Sequence, residues 1–198
     1  EVAAQGPIAL EARLHGDVAV PEGDLEVDAT RAQLSAYGGA FKKAPGAPAT
    51  ASGRLVRDAN GKLGVESVRL SIKNMNGALR PAPDGVHFSA APFELTGWGE
   101  VIPALAGVAP EGSIAIEGMR VATAPLALAG RVRLDDVRLR PGGRAPIALR
   151  GALIGEGASI ASEGLSATAG GQRIALRLRA DGLDGAPPKG EPPNDGGG

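Results

Sequence analysis

The sequence predicts a mainly β protein, an open antiparallel array of repeated short strands with one short helix. Three observations carry that prediction. Apolar and polar residues alternate with period two in run after run, which turns one face of each run away from water. Glycine and proline, 31 and 16 of 198 residues, bracket these runs as turn residues do. Apolar residues make up 43% of the chain but aromatics only 3%, so the dry surface is aliphatic. Aromatic rings are the largest units of core burial. A chain nearly without them suits a long thin sheet, or a groove filled from outside, better than a thick core.

The elements follow in order. Residues 8–14 (IALEARL) alternate strictly, and residues 25–27 (LEV) open a second run. Asn60-Gly61 lies between two runs and is a strong two-residue hairpin signal, because both residue types tolerate positive φ. Val86 and Phe88, then Phe93 and Leu95, mark shorter strands. Residues 147–149 (IAL) and 174–180 (IALRLRA) complete the series. Many short strands with short connections imply antiparallel pairing. One segment breaks the alternation, residues 96–107 (TGWGEVIPALAG). Thr96 as N-cap, Pro103 as an early helical residue and Gly107 as a stop predict a capping helix within 98–106. It holds the one tryptophan, Trp98, and would plug an open end of the sheet. Residues 1–183 read as one quasi-repetitive domain, divisible into 1–95 and 96–183. Residues 184–198 (DGAPPKGEPPNDGGG) read as a disordered tail.

A repeated unit connects the strands. Val132, Leu134, Val137 and Leu139 are spaced h-x-h-x-x-h-x-h, and so are Leu63, Val65, Val68 and Leu70. Ile114, Ile116, Met119 and Val121 repeat it, and residues 160–167 give a looser copy. The first of the two inserted residues is always acidic: Glu66, Glu117, Asp135 or Glu163. The second varies: Ser67, Gly118, Asp136 or Gly164. One extra residue in a strand would send every later apolar group to the wet face. A bulge or tight bend absorbs it and restores the face, leaving the acid in solvent. A second echo supports repetition, residues 34–39 (LSAYGG) against 165–171 (LSATAGG).

Several chemistries are excluded or disfavoured. The net charge of −1 gives no general attraction for nucleic acid. The charge is unevenly placed, with seven acids and one arginine in residues 1–30 and nine arginines and four acids in 126–180. There are no cysteines, which removes disulfides and thiolate metal sites. His15 and His87 stand far apart, without metal-ligand spacing, and read as exposed strand residues. No nucleophile elbow, dinucleotide fingerprint or phosphate loop occurs. No run of about 18 apolar residues is present to span a bilayer as a helix. Asp135-Asp136 is the most suggestive pair, yet neighbours on a strand point to opposite faces and do not converge on one ion. The slot also accepts Glu-Ser and Glu-Gly, which a catalytic pair would not. No metal, cofactor or catalytic residue is expected.

Residues 112–121 (GSIAIEGMRV), 130–140 (GRVRLDDVRLR) and 164–183 (GLSATAGGQRIALRLRADGL), with the tryptophan segment before them, resemble the C-terminal region of AsmA-like proteins. The shared pattern is G-x-h-x-h-x-x-h-x-h, further strands, then a gg-x-x-h-x-h close. It spans residues 95–183 well, 50–95 loosely and 1–50 only in style, and the motif is degenerate. The resemblance implies a curved, open β-groove of the AsmA and TamB type, taco-like in section. It implies a lipid-binding domain of the Gram-negative envelope that carries phospholipid acyl chains between inner and outer membranes. It further implies a periplasmic place within an inner-membrane-anchored protein, the anchor lying outside residues 1–198, in outer-membrane biogenesis. Further repeats or other envelope proteins would be partners, and nucleic acid would not.

The residues expected to line the groove are the repeated apolar set: Leu63, Val65, Val68, Leu70, Ile114, Ile116, Met119, Val121, Val132, Leu134, Val137 and Leu139. Aliphatic side chains suit this role, since acyl chains need a smooth apolar lining and each buried methylene contributes about 0.8 kcal/mol. The second reading is a non-catalytic structural or interaction β-module that packs its dry face on a partner or another copy.

Overall fold

The computed structural model describes residues 2–17, 20–57, 61–83, 85–123 and 126–182. Asn60 and the predicted tail 184–198 lie outside the described residues. The strands, numbered along the chain, form two sheets. The small sheet holds β1 (Val2–Gln5), β4 (Gln33–Ala36) and β5 (Phe41–Lys43), in the order β1-β4-β5. The large, 12-stranded sheet starts with β2 (Ala9–Asp17), β3 (Val20–Asp28), β6 (Ala49–Arg57), β7 (Leu63–Ile72) and β8 (Met75–Ala82). It continues with β9 (Gly85–Glu94), β10 (Glu111–Thr123), β11 (Leu126–Leu139), β12 (Ile147–Gly157), β13 (Ser159–Ala169), β14 (Gln172–Ala175) and β15 (Arg179–Ala180).

Neighbours along the path β2-β3-β6-β7-β8-β9-β10-β11-β12-β13-β14 are hydrogen-bonded and antiparallel, and β15 also pairs with β13. The first and last strands do not meet, so the sheet is open. Strand follows strand through short turns, as the alternating runs predict. β6 and β7 pair antiparallel from Arg57↔Leu63 onward, and the Asn60 half of the expected Asn60-Gly61 turn between them falls outside the described residues. Val86–Phe88 and Phe93 fall in one strand, β9, and β9 and β10 are paired across residues 95–96. The echo of residues 34–39 and 165–171 is partial. Residues 34–36 lie in the small sheet and 165–169 in β13, and each copy then turns through two left-handed glycines.

Each slip is a bulge. In β7, Val65 and Ser67 face Leu55 and Arg54, so Glu66 is the extra residue. In β10, Glu117 and Arg120 face Arg131 and Ala129, leaving Gly118 and Met119 opposite Gly130 alone. In β11, Leu134 and Val137 face Gly151 and Leu149, leaving Asp135 and Asp136 opposite Arg150. In β13, Glu163 and Ser166 face Ala152 and Arg150, leaving Gly164 and Leu165 opposite Gly151. The second inserted residue is left-handed in three copies: Gly118 (φ 56), Asp136 (φ 52) and Gly164 (φ 57). Ser67 has no positive φ, so the β7 bulge is of another kind.

The predicted helix at 98–106 is corrected. The segment forms two 3-10 turns, Trp98–Glu100 and Pro103–Val108. Thr96 does not cap it. The first turn starts at Gly97, which is left-handed (φ 78), and no side chain caps either turn. Gly107 does not stop it, and the second turn ends at left-handed Ala109. Pro103 lacks the N–H that an α-helix would use. The carbonyls of Val101 and Val108 accept instead from the backbone N–H groups of Lys42 (2.7 Å) and Arg140 (2.6 Å). Those contacts tie the segment to the sheets on both sides.

The core sits under this segment. Met75, Ala90, Phe93, Leu95, Trp98, Val101 and Val137 form one buried cluster, with Phe41, Leu105 and Leu149 among the residues packed on it. Phe93 and Trp98 meet with ring centroids 5.0 Å apart. The Trp98 indole N–H donates to Asn74 Oδ1 (2.9 Å), and Lys73 Nζ donates to Gly97 O (2.7 Å) and Glu100 (2.8 Å). The β7–β8 turn thus clasps the cap by two side chains.

Candidate functional site: an uncovered apolar face

Directly opposed residues of antiparallel strands share a face. One such row runs Leu10, Val27, Ala51, Leu70, Gly77, Ala90, Ile116, Val132, Leu153 and Ser162. A neighbouring row carries Ala12, Leu25, Gly53, Val68, Leu79, Phe88 and Met119. All twelve residues named from the sequence lie on this one face. Leu63, Val65, Val68 and Leu70 keep it across the Glu66 bulge. Ile114 and Ile116 share it with Met119 and Val121, through Phe93, Ala90, Phe88 and Val86. Val132 and Leu134 share it with Val137 and Leu139, through Leu153, Gly151, Leu149 and Ile147.

The face divides in two. Near the cap, Val137 is 4% exposed, and Ile114, Ile116, Leu134 and Leu139 pack against the buried cluster. Away from the cap, Val65, Val68, Leu70, Met119, Val121 and Val132 are only half-buried, by one another, and Leu63 is 50% exposed. Outside the cap segment, strands contact chiefly their own sheet neighbours, and no second layer lies over the face among the described residues. A row of ten strands spans roughly 45 Å, which gives the face a projected area on the order of 1,000 Å². Soluble monomers rarely leave contiguous apolar patches larger than a few hundred Å².

The opposite face is polar, and the acidic member of each bulge belongs to it. Glu117 meets Arg131 (4.0 Å) and Arg133 (3.8 Å), Glu163 meets Arg131, and Asp135 meets Arg150 (3.8 Å). Asp136 pairs with Arg138. The slot thus feeds an ion-pair ladder in water, where each exposed pair is worth little. Asp135 and Asp136 engage different arginines. Among the described residues, no group of three or more metal-ligating side chains assembles. His15 and His87 are exposed, on β2 and β9. A concavity of about 680 Å³ opens on the polar face, lined by Glu11, Arg13, Glu26, Arg54, Glu66 and Arg69 among others. Those side chains are charged and solvated, unlike the mainly apolar lining of small-molecule sites.

Sequence reasoning missed three features. The first is a set of glycines that face the bulges. At Gly130 a Cβ would lie 2.5 Å from the Cα of Met119, and at Gly151 2.6 Å from the Cα of Leu165. Such a glycine is therefore the space into which a neighbouring strand's bulge fits, that of the preceding strand at Gly130 and of the following strand at Gly151. The second is the role of arginines that flank the apolar positions, since Arg131, Arg133 and Arg150 meet acids of other strands. The third is Lys43. It is 1% exposed, and its ammonium donates to the carbonyls of Ala29 (2.9 Å), Thr30 (3.0 Å), Ala32 (2.7 Å) and Ala44 (3.2 Å). Burial pushes its pKa down and nearby Asp28 pulls it up. Carbonyls that converge on it from a distant loop leave no trace in local sequence.

No helix among the described residues is long and apolar enough to cross a membrane. Comparison of the chain with protein-family models, with curated proteins and with solved structures gives no match.

Proposed function

We propose that the chain is a lipid-binding domain whose uncovered apolar face holds phospholipid acyl chains. The observation that carries this reading is the continuous aliphatic face, which among the described residues has no cover outside the cap. Such a face is unstable in water unless something apolar lies on it. Acyl chains need no directional partner, and this face offers none. Each methylene transferred onto it contributes up to about 0.8 kcal/mol, so a single chain supplies enough for reversible binding. The sequence pattern's resemblance to AsmA-like proteins supports a periplasmic role, in a protein anchored in the inner membrane, moving phospholipid between the two membranes. The bulges, which bend strands and raise local twist, favour a groove.

The test is uptake of a fluorescent phospholipid by delipidated protein. The wild type takes up lipid, and a Val65→Glu/Leu70→Glu variant, folded by circular dichroism, loses most of it. No uptake by the wild type would sink the reading. A second reading, a structural module whose apolar face packs on a partner or another copy, draws on the same face. It predicts a tight lipid-free dimer that excludes hydrophobic dyes.

A further inference from the structure

The two edges of the large sheet differ in charge and match in shape. β2 is one edge, and residues 172–180, comprising β14, β15 and the link between them, are the other. Neither has a strand on its outer side among the described residues. Each edge also leaves large apolar side chains in water on the apolar face. Ile8, Leu10 and Leu14 are 45%, 67% and 63% exposed, and Ile174 and Leu178 are 58% and 54% exposed. On the polar face the edges carry opposite charge. Residues 8–28 hold six acids and one arginine, Arg13, which pairs with Glu11, whereas 172–181 hold three arginines and one acid, Asp181, which pairs with Arg179. Glu11, Glu22, Asp24, Glu26 and Asp28 share the polar face of β2 and β3, and Arg173, Arg177 and Arg179 that of the far edge.

We propose that the β2 edge of one copy of this chain pairs with the 172–180 edge of a second copy, extending the sheet head to tail. Three terms act together in that join. The unpaired backbone groups of both edges find partners, as in strand addition to an open sheet. The exposed leucines and isoleucines of the two edges cover each other. The acidic row meets the arginine row on the other face. Like-edge pairing would bring acid to acid or arginine to arginine, and such juxtaposition costs several kcal/mol.

The topology also sets the direction. Every step on the path is antiparallel and the path holds an odd number of strands, so both edges run the same way. A head-to-tail join that keeps the apolar faces on one side is therefore parallel. Such a contact is heterologous and leaves a free edge at each end, so assembly proceeds to rings or filaments rather than stopping at a two-fold dimer. The join stands on the edges alone and does not depend on what the apolar face holds.

Sedimentation of lipid-free protein over a concentration series tests it. The wild type forms oligomers that shrink as salt rises. Arg173→Glu/Arg177→Glu gives two acidic edges and Glu11→Lys/Glu26→Lys weakens the acidic one, and each variant alone associates about 100-fold more weakly. Mixing the two variants restores association. In the cysteine-free background, Leu10→Cys and Leu178→Cys proteins, whose sites fall on one cross-strand row, form a mixed disulfide together and no disulfide alone. A wild type that stays monomeric throughout would overturn the proposal. So would association indifferent to both charge reversals, or disulfides formed between like edges. Circular dichroism of each variant separates failure to fold from failure to associate.

Discussion

The apolar face has a covered end and an open expanse built from the same repeat. Val137 and Val132 show the contrast. They lie five residues apart on β11, on the same face, in the same motif. Val137 is 4% exposed because Trp98, Val101 and their neighbours lie over that end, whereas Val132 is covered only by flanking side chains. The repeat therefore does not determine burial. It determines which face a side chain occupies, and the inserted cap decides how much of that face the protein keeps for its own core. Stability should concentrate at the covered end and function at the open one.

Mutations can break that division. The largest expected effect is at the cap. Trp98→Ala removes the ring that joins Phe93, Asn74 and the cluster, and should cost about 3–5 kcal/mol in denaturant unfolding. Next is Lys43→Met, which leaves four inward carbonyls without their donor and should cost about 3 kcal/mol. Gly130→Ala should cost about 2 kcal/mol, because its Cβ meets the β10 bulge backbone and its φ is 138. Asp136 gives a finer test. Asp136→Gly should be neutral or stabilise by up to about 1 kcal/mol, since the site is left-handed, whereas Asp136→Val should destabilise by about 1–2 kcal/mol. Smallest is Leu63→Ser, expected to shift stability by less than about 0.5 kcal/mol. If Leu63→Ser cost as much as Trp98→Ala, the two ends would not differ as described.

Much of the fold could be read locally because β side chains repeat every two residues. Val132, Leu134, Val137 and Leu139 declare their common face in the spacing itself, and the slip between them declares a bulge. What could not be read depended on residues far apart in the chain. Pro103 and the alternation break located the cap, but the hydrogen bonds that anchor it come from Lys42 and Arg140, each more than thirty residues from Trp98. The small sheet also escaped notice, since its strands are only three or four residues long. Gly130 looked like turn punctuation, and only its position opposite Gly118 reveals why no side chain fits there. For the candidate site, spacing named the residues of the apolar face, and the covered and open parts became separable only with the cap in place.

The central claim is that the open part of this face meets acyl chains. The most direct measurement places a photo-crosslinking residue at Val132 in one protein and at the adjacent Arg131 in another, then irradiates both with phospholipid. The two sites share a strand and differ chiefly in the face they occupy. The account predicts lipid adducts at Val132 and few at Arg131. Equal labelling at the two positions, or adducts at Arg131 alone, would contradict it.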